Sequence, residues 1–259
     1  MGDQIIRYNF GDNTSYGLLV AEDEVHPLVD GPFNELKTTG EKISLGDVTL
    51  LAPVEVRTIF ALGLNYASHV GESKYDLPEI PMLFVKPTTS VIGPGDAIVY
   101  PQEAELVHHE AEVSAVIGKQ GRRISEENAL DYVLGYTCGN DVSERIIQRA
   151  EMAQRAMLIG KGFDTFTPLG PVIATGLDAT DIDVIARVNG EERQRSNTSD
   201  LIFSVAKLVS YISQSITLLP GDVIMTGTPS GVSPIVPGDT VEIEISGAGI
   251  LSNPVVAES

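Results

Sequence analysis

The amino-acid sequence predicts a β-rich α+β fold, and three observations carry that expectation. Short runs of β-branched, aromatic and aliphatic residues recur along the chain, from IIRYNF near its start to TVEIEI near its end. The tripeptide Pro-Gly-Asp stands directly before such a run three times, at 94–96, 220–222 and 237–239. Helical periodicity is confined to three segments, which is too sparse for regular βαβ alternation.

Between Ile5 and Val29 the runs IIRYNF, YGLLVA and VHPLV are separated by turn residues such as Gly11-Asp12-Asn13, the pattern of a small antiparallel sheet. Gly31-Pro32 and a polar segment to about Gly46 follow. They place a boundary near residue 53, with a small N-terminal β domain over 1–53 and a large domain over 54–259. In each Pro-Gly-Asp, Pro presets the first turn position and Gly supplies positive φ, so the chain turns tightly into AIVY, VIMT or TVEIEI. Ser125, with Glu126 and Glu127 in the first turn, predicts a helix over ENALDYVL. Apolar spacing predicts a second over Ser143 to Met157. A third is expected from Thr198 to Ser213, with Ser199 or Asp200 as its cap.

Seventeen basic against 36 acidic residues give a net charge of −19, which opposes attraction to nucleic acid or to an anionic membrane surface. No window approaches the roughly 20 consecutive apolar residues of a membrane span. The start MGDQIIRYNFGD lacks the basic flank and apolar stretch of a signal peptide, and the single Cys138 excludes an internal disulfide. A cytoplasmic location is expected. There is no GxGxxG, and Gly160-Lys161 fails as a phosphate loop because Arg155 and Gly162 replace the required Gly and Ser/Thr. An acidic protein that binds acidic substrates must gather positive charge locally, so Lys or Arg near carboxylates is informative.

In His108-His109-Glu110-Ala111-Glu112-Val113-Ser114-Ala115-Val116-Ile117, a strand period of two sends His108, Glu110 and Glu112 to one face. Two carboxylates about 7 Å apart on a half-buried strand repel each other unless a cation sits between them. The alternative is a solvated edge face. Asp141 follows the apolar stretch Tyr132 to Cys138 at a strand end, where a third carboxylate can converge. All-oxygen ligation favours Mg²⁺, Mn²⁺ or Ca²⁺ over Zn²⁺ and leaves positions for a bidentate 2-oxo acid. In Asn65-Tyr66-Ala67-Ser68-His69-Val70-Gly71-Glu72, His69 and Glu72 share a face of any helical turn, as a carboxylate-oriented general base or as a surface pair. Lys161 stands in apolar, Gly-rich LIGKGF, where an unpaired ammonium is costly, while Arg145 and Gln148 share a helix face beyond Asp141. Thr228, in Gly227-Thr228-Pro229, offers a hydroxyl or a backbone N–H to a substrate, or is a plain strand-ending turn.

The runs HHEAEVSAVIGK, DYVLGYTCGNDVSER, GKGFDTFTPLGP, RVNGEERQRSNTSDLIFSV and PGDVIMTGTPSGV, in this order, resemble the fumarylacetoacetate hydrolase family over roughly residues 55 to 256. The resemblance implies a mixed β-roll, a homodimer, and metal ligation by Glu110, Glu112 and Asp141. It also implies a water-activating lid pair in His69 and Glu72, an active-site lysine in Lys161, and substrate contacts from Arg145 and Gln148. Many members carry Asp where this chain has Ile146 and Ser where it has Gly162, and Trp near the lysine, which this chain lacks. Those departures reshape the substrate pocket and leave the ligands intact.

The leading expectation is metal-dependent hydrolysis of a carbon–carbon bond in an acylpyruvate-like or fumarylacetoacetate-like acid, with His69 and Glu72 activating water and the metal stabilising the departing enolate. EERQRSNTSDLIFSV and PGDTVEIEISGAGIL also resemble isomerase/decarboxylases of the 2-hydroxyhepta-2,4-diene-1,7-dioate type, and oxaloacetate decarboxylation is a further variant. A non-catalytic metal-binding protein is the alternative of a different class.

Overall fold

Paired strands dominate the computed structural model, which describes residues 2–67 and 78–259. Gln4–Phe10, Asn13–Ala21 and Glu24–Pro27 pair antiparallel in sequence order, with Gly11 at φ 58° turning the first into the second. Period-two alternation sends the fully buried Ile5 and Ile6 into different core clusters. The first strand pairs on its other side with Thr167–Ala174 (Gln4↔Ala174, Ile5↔Ile173). From there the same sheet continues through Val133–Asn140, Ala111–Ile117, Val223–Met225, Ile59–Gly63 and Met82–Lys86. Val91–Ile92 then pairs parallel with Thr167–Ala174, so the chain leaving the far edge returns to the middle and the sheet rolls up. A second sheet of five strands, Glu191–Asn197, Asp183–Val188, Thr240–Ile245, Gly249–Ala257 and Ile98–Tyr100, covers one side of the roll. Among the described residues no helix is long and apolar enough to cross a membrane.

The three Pro-Gly-Asp turns behave as expected and share a further device. Gly95, Gly221 and Gly238 hold φ of 81°, 92° and 100°. Each Asp carboxylate accepts the backbone N–H three residues before it, at 2.8 Å in all three turns. The strands that follow begin at Ile98, Val223 and Thr240.

The helices differ from expectation in ways that non-local contacts explain. Glu126–Tyr132 is a 3₁₀ helix, because the chain must enter the strand Val133–Asn140 at once. Ser143–Glu144 is not helical but pairs with Val107–His108, and the α-helix runs only from Arg145 to Ala153. The buried Glu144 carboxylate caps it by accepting the N–H of Ile147 at 2.5 Å, and also accepts the N–H of Leu106 at 2.9 Å. Thr198–Asp200 is an isolated 3₁₀ turn, and the third helix begins at Val205, not Thr198. Asn65 imposes the delay, holding Ile202 through its carbonyl and Phe203 through its side chain, both at 2.8 Å. Ser204 is the actual cap, accepting from the N–H of Lys207 at 3.2 Å. Ser204→Ala is expected to lower unfolding stability by about 1 kcal/mol. Urea denaturation checks this; an unchanged midpoint would remove the capping role.

Ala111–Ile117 is buried at all seven positions, not on one face only as the sequence suggested. It pairs on both sides, with Val133–Asn140 and Val223–Met225. The five-stranded sheet packs on the face bearing Ala111, Val113, Ala115 and Ile117, and Val116 faces a second cluster with Leu169 and Met225. Glu112 on such a strand is fully buried, so its charge needs a partner inside the fold.

Candidate metal centre and active site

Antiparallel pairing brings the start of Ala111–Ile117 and the end of Val133–Asn140 to one edge, with Ala111 opposite Asn140 and Glu112 opposite Gly139. Glu110 and Asp141 lie just beyond that pair. The Asp141 N–H donates to the Glu110 carbonyl and the Glu110 N–H to Asn140 Oδ1, both at 2.9 Å. One oxygen from each of Glu110, Glu112 and Asp141 lies within 4.8 Å of the others, and all three residues are buried. The expected carboxylate triad is therefore assembled, and the solvated-edge alternative is excluded.

Among the described residues, three cations surround it. Lys161 Nζ donates to Glu110 Oε2 at 2.8 Å and to Asp141 Oδ2 at 2.5 Å. Burial pulls its pKa down, but the carboxylates of Asp141 and Glu110 outweigh burial and hold it above the ordinary lysine value. Arg145 Nη2 lies 2.6 Å from Glu110 Oε1, and its Nη1 donates to Gln148 Oε1 at 2.8 Å. Lys86, which sequence reasoning missed, is 1% exposed; it donates to Asp141 Oδ1 and, at 2.9 Å, to the Phe166 carbonyl. Here burial prevails over the attraction of Asp141, and the pKa falls below the lysine norm.

The short helix Ile159–Gly162 places Lys161. Glu151 accepts the N–H groups of Leu158, Ile159 and Gly160 at 3.2, 2.8 and 3.0 Å. A Cβ on Gly160 would lie 2.6 Å from the backbone nitrogen of Gln148, so only Gly lets the two helices approach this closely. Glu112 is oriented by the N–H of Gly227, at 2.7 Å from Oε2. Gly227 holds φ 95° against Asn65, where a Cβ would sit 2.8 Å from the asparagine Cβ.

The residues fit a divalent cation. Glu112 Oε1 is buried with no hydrogen-bond partner among the described residues, although a buried carboxylate oxygen is normally satisfied. Burial, then the charges of Asp141 and Glu110, push the Glu112 carboxyl well above the usual carboxylate range. A cation among the three would satisfy that oxygen and remove the repulsion.

The family model described as fumarylacetoacetate (FAA) hydrolase C-terminal matches residues 58–256, and a second, Rv2993c-like N-terminal, matches residues 4–53. The chain belongs to the fumarylacetoacetate hydrolase family. Among relatives in this family, the mitochondrial oxaloacetate tautomerase of Xenopus laevis is 41% identical over 83% of this chain and 70% of its own length. The 4-hydroxyphenylacetate degradation bifunctional isomerase/decarboxylase of Escherichia coli is 45% identical over 78% of this chain, which spans 47% of that protein. The crystal structure of a 5-carboxymethyl-2-hydroxymuconate delta-isomerase from Mycobacterium smegmatis superposes with a TM-score of 0.92 at 42% identity, over 98% of this chain and 100% of that one.

In this family member the Glu110 carboxylate lines a cavity of about 380 Å³, whose apolar side is formed by Leu62, Met82, Phe84 and Met157. Lys161, Arg145, Gln148 and Thr228 all line it, together with Glu110. The Thr228 hydroxyl is already paired, donating to the Ala111 carbonyl at 2.9 Å and accepting from Gln194 Nε2 at 2.8 Å. Gln194, a second residue missed from sequence, comes from the five-stranded sheet. Its Oε1 accepts the Ala111 N–H at 2.9 Å and sits 3.1 Å from His109 Nδ1, so it fixes the approach to the Glu-x-Glu. Burial lowers the pKa of His109 and of His108 to about 4 each. His69 and Glu72 lie outside the described residues.

Proposed function

We propose that this protein is a divalent-metal-dependent enzyme that carries a 2-oxo or enol acid through its enolate, performing tautomerisation, double-bond isomerisation or decarboxylation. The observation that supports this reading is the clustering of Glu110, Glu112, Asp141 and Lys161, of which Glu110 and Lys161 line one cavity. The three carboxylates would hold a hard cation such as Mg²⁺ or Mn²⁺, with Ca²⁺ also fitting oxygen donors. Once bound, it supplies Lewis-acid polarisation of the 2-oxo group.

The chain's own residues then have separable tasks. Lys161 places an ammonium beside the carboxylates, near the substrate oxygen on which negative charge would grow. That charge would arise as the carbon-3 proton passes to a general base or the carbon-3 carboxylate departs as CO₂, leaving the bonding pair in the enolate. The Gln148 amide, otherwise only 3.7 Å from Met157 Sδ, offers an N–H to a substrate oxygen. Leu62, Phe84 and Met157 exclude water from one side, which strengthens every charge interaction in the cavity.

Hydrolysis of a carbon–carbon bond is the second reading, favoured by the His69–Glu72 spacing. Enolate stabilisation needs only the described cavity, whereas hydrolysis needs those two residues in addition. The names borne by the two relatives and the structural neighbour also favour the first reading. A screen of oxaloacetate, acylpyruvates and hydroxymuconate-type dienes with Mg²⁺ or Mn²⁺ tests it: isomerisation conserves mass, decarboxylation releases CO₂, and hydrolysis yields two acids. Cleavage of an acylpyruvate faster than every other conversion would give the second reading precedence. In that event His69→Ala is expected to lose cleavage by about 10²- to 10⁴-fold while retaining metal binding.

A further inference from the structure

Of the five methionines in the sequence, Met82, Met152 and Met157 line the cavity and are half-buried, whereas Met225 is fully buried in a core cluster. The single thiol, Cys138, is fully buried as well, and burial pushes it up to about 12, so it offers no thiolate to an oxidant. Accessible sulfur is therefore methionine sulfur, gathered at one place. Among the described residues, Met157 alone of the three accepts a hydrogen bond at sulfur. Gln148 Oε1 accepts from Arg145 Nη1 at 2.8 Å, which turns the amide nitrogen the other way, and Nε2 donates to Met157 Sδ at 3.7 Å. The chain on either side of Met157, at Ala156 and Leu158, is exposed.

We propose that Met157 is a modification site for hydrogen peroxide, and that its sulfoxide captures the Gln148 amide and withdraws it from the substrate. The sulfur gives an electron pair to one peroxide oxygen, so the S–O bond forms as the O–O bond breaks. The sulfide is oxidised to the sulfoxide, and the departing hydroxide takes the proton of the transferred oxygen and leaves as water. A soft, weakly accepting thioether is thereby exchanged for a polar, strongly accepting oxygen. That oxygen is carried by the atom Nε2 already faces, so Gln148 need not turn to reach it. With Oε1 held by Arg145, both ends of the amide are then committed within the chain. The same change places a polar group in the apolar wall that Met157 forms with Leu62 and Phe84. The inference rests on the enolate reading only in making Gln148 a substrate contact; the modification and the capture of the amide do not need it.

The test treats metal-loaded protein with dilute hydrogen peroxide and follows each methionine by mass spectrometry of its peptides. Met157 is expected to gain oxygen at least about 10-fold faster than the buried Met225. The side-chain amide signal of Gln148 in the NMR spectrum, assigned by its absence in Gln148→Glu, should shift on oxidation. It should return after treatment with methionine sulfoxide reductases of both epimer specificities. Oxalate is the ligand probe, and its affinity by calorimetry should fall about 10-fold on oxidation, the worth of one hydrogen bond to a charged acceptor. Met157→Leu, whatever its starting affinity, should lose under about 2-fold on the same treatment, while Met152→Leu should stay as sensitive as wild type. Oxidation of Met157 no faster than of Met225, an unmoved Gln148 signal in the oxidised protein, or equal losses in Met157→Leu and wild type would overturn the site. Wild type that binds no oxalate before oxidation would count against the enolate reading alone, since the mass and amide measurements decide the modification without a ligand.

Discussion

Glu112→Gln is expected to abolish metal-dependent activity and metal-induced thermal stabilisation together, while leaving the metal-free protein at least as stable as wild type. The variant removes one anionic ligand and one of three clustered buried charges. For metal binding the loss is severe, because a hard cation draws its affinity from formal negative charge on oxygen. Wild type at a metal concentration 100 times its dissociation constant gains about 2.7 kcal/mol of stability, and the variant should gain none. For the empty fold the change is mild. A glutamine oxygen can still accept the Gly227 N–H, and its amide group can face the carboxylates of Glu110 and Asp141 instead of repelling them. Thermal melts with and without Mn²⁺ measure both effects. A metal-induced shift equal to that of wild type would show that Glu112 is not a ligand, whatever happened to activity.

The site separates into what one strand's period can reveal and what only the rolled sheet creates. Glu110 and Glu112 were legible because two acids, two residues apart in a run of Val, Ala and Ile, cannot be reconciled with burial unless a cation is shared. Asp141 was legible as an acid at the end of an apolar strand, and antiparallel pairing is what brings it to Glu110. Lys86 was not legible. It ends Met82–Lys86, which three strands separate from Val133–Asn140 in hydrogen-bonding order, and the two meet only because the sheet curls. Gln194 belongs to another sheet altogether, and its polar, charged surroundings EERQRSN read as solvent-facing. The helix starts were misplaced for a related reason. Ser199 and Asp200 are good caps by type, but Asn65, 138 residues from Phe203, holds the following segment extended and passes the cap to Ser204. Local chemistry chose the residue types, and long-range hydrogen bonds chose which of them acted.

Lys86→Met is expected to destabilise the metal-free protein by about 3 kcal/mol and to make the metal a stronger stabiliser than it is in wild type. Breaking a buried ion pair by removing one partner costs about 3–5 kcal/mol, because the remaining charge stays buried. The lower end applies here, since Lys161 still holds the other Asp141 oxygen at 2.5 Å. Methionine fills most of the vacated volume, so the loss is electrostatic rather than a cavity effect. In wild type, among the described residues, the carboxylates of Glu110, Glu112 and Asp141 face three cations, Lys86, Lys161 and Arg145. An added divalent ion therefore enters a site whose formal charge is already balanced. Without Lys86 the site carries one excess negative charge, and the ion supplies what the ammonium did. The melting-temperature gap between variant and wild type should accordingly be widest in a chelator and should narrow on titration with Mn²⁺. Were Lys86 only packing, the gap would stay constant across the titration, and a constant gap would sink the charge-balance account.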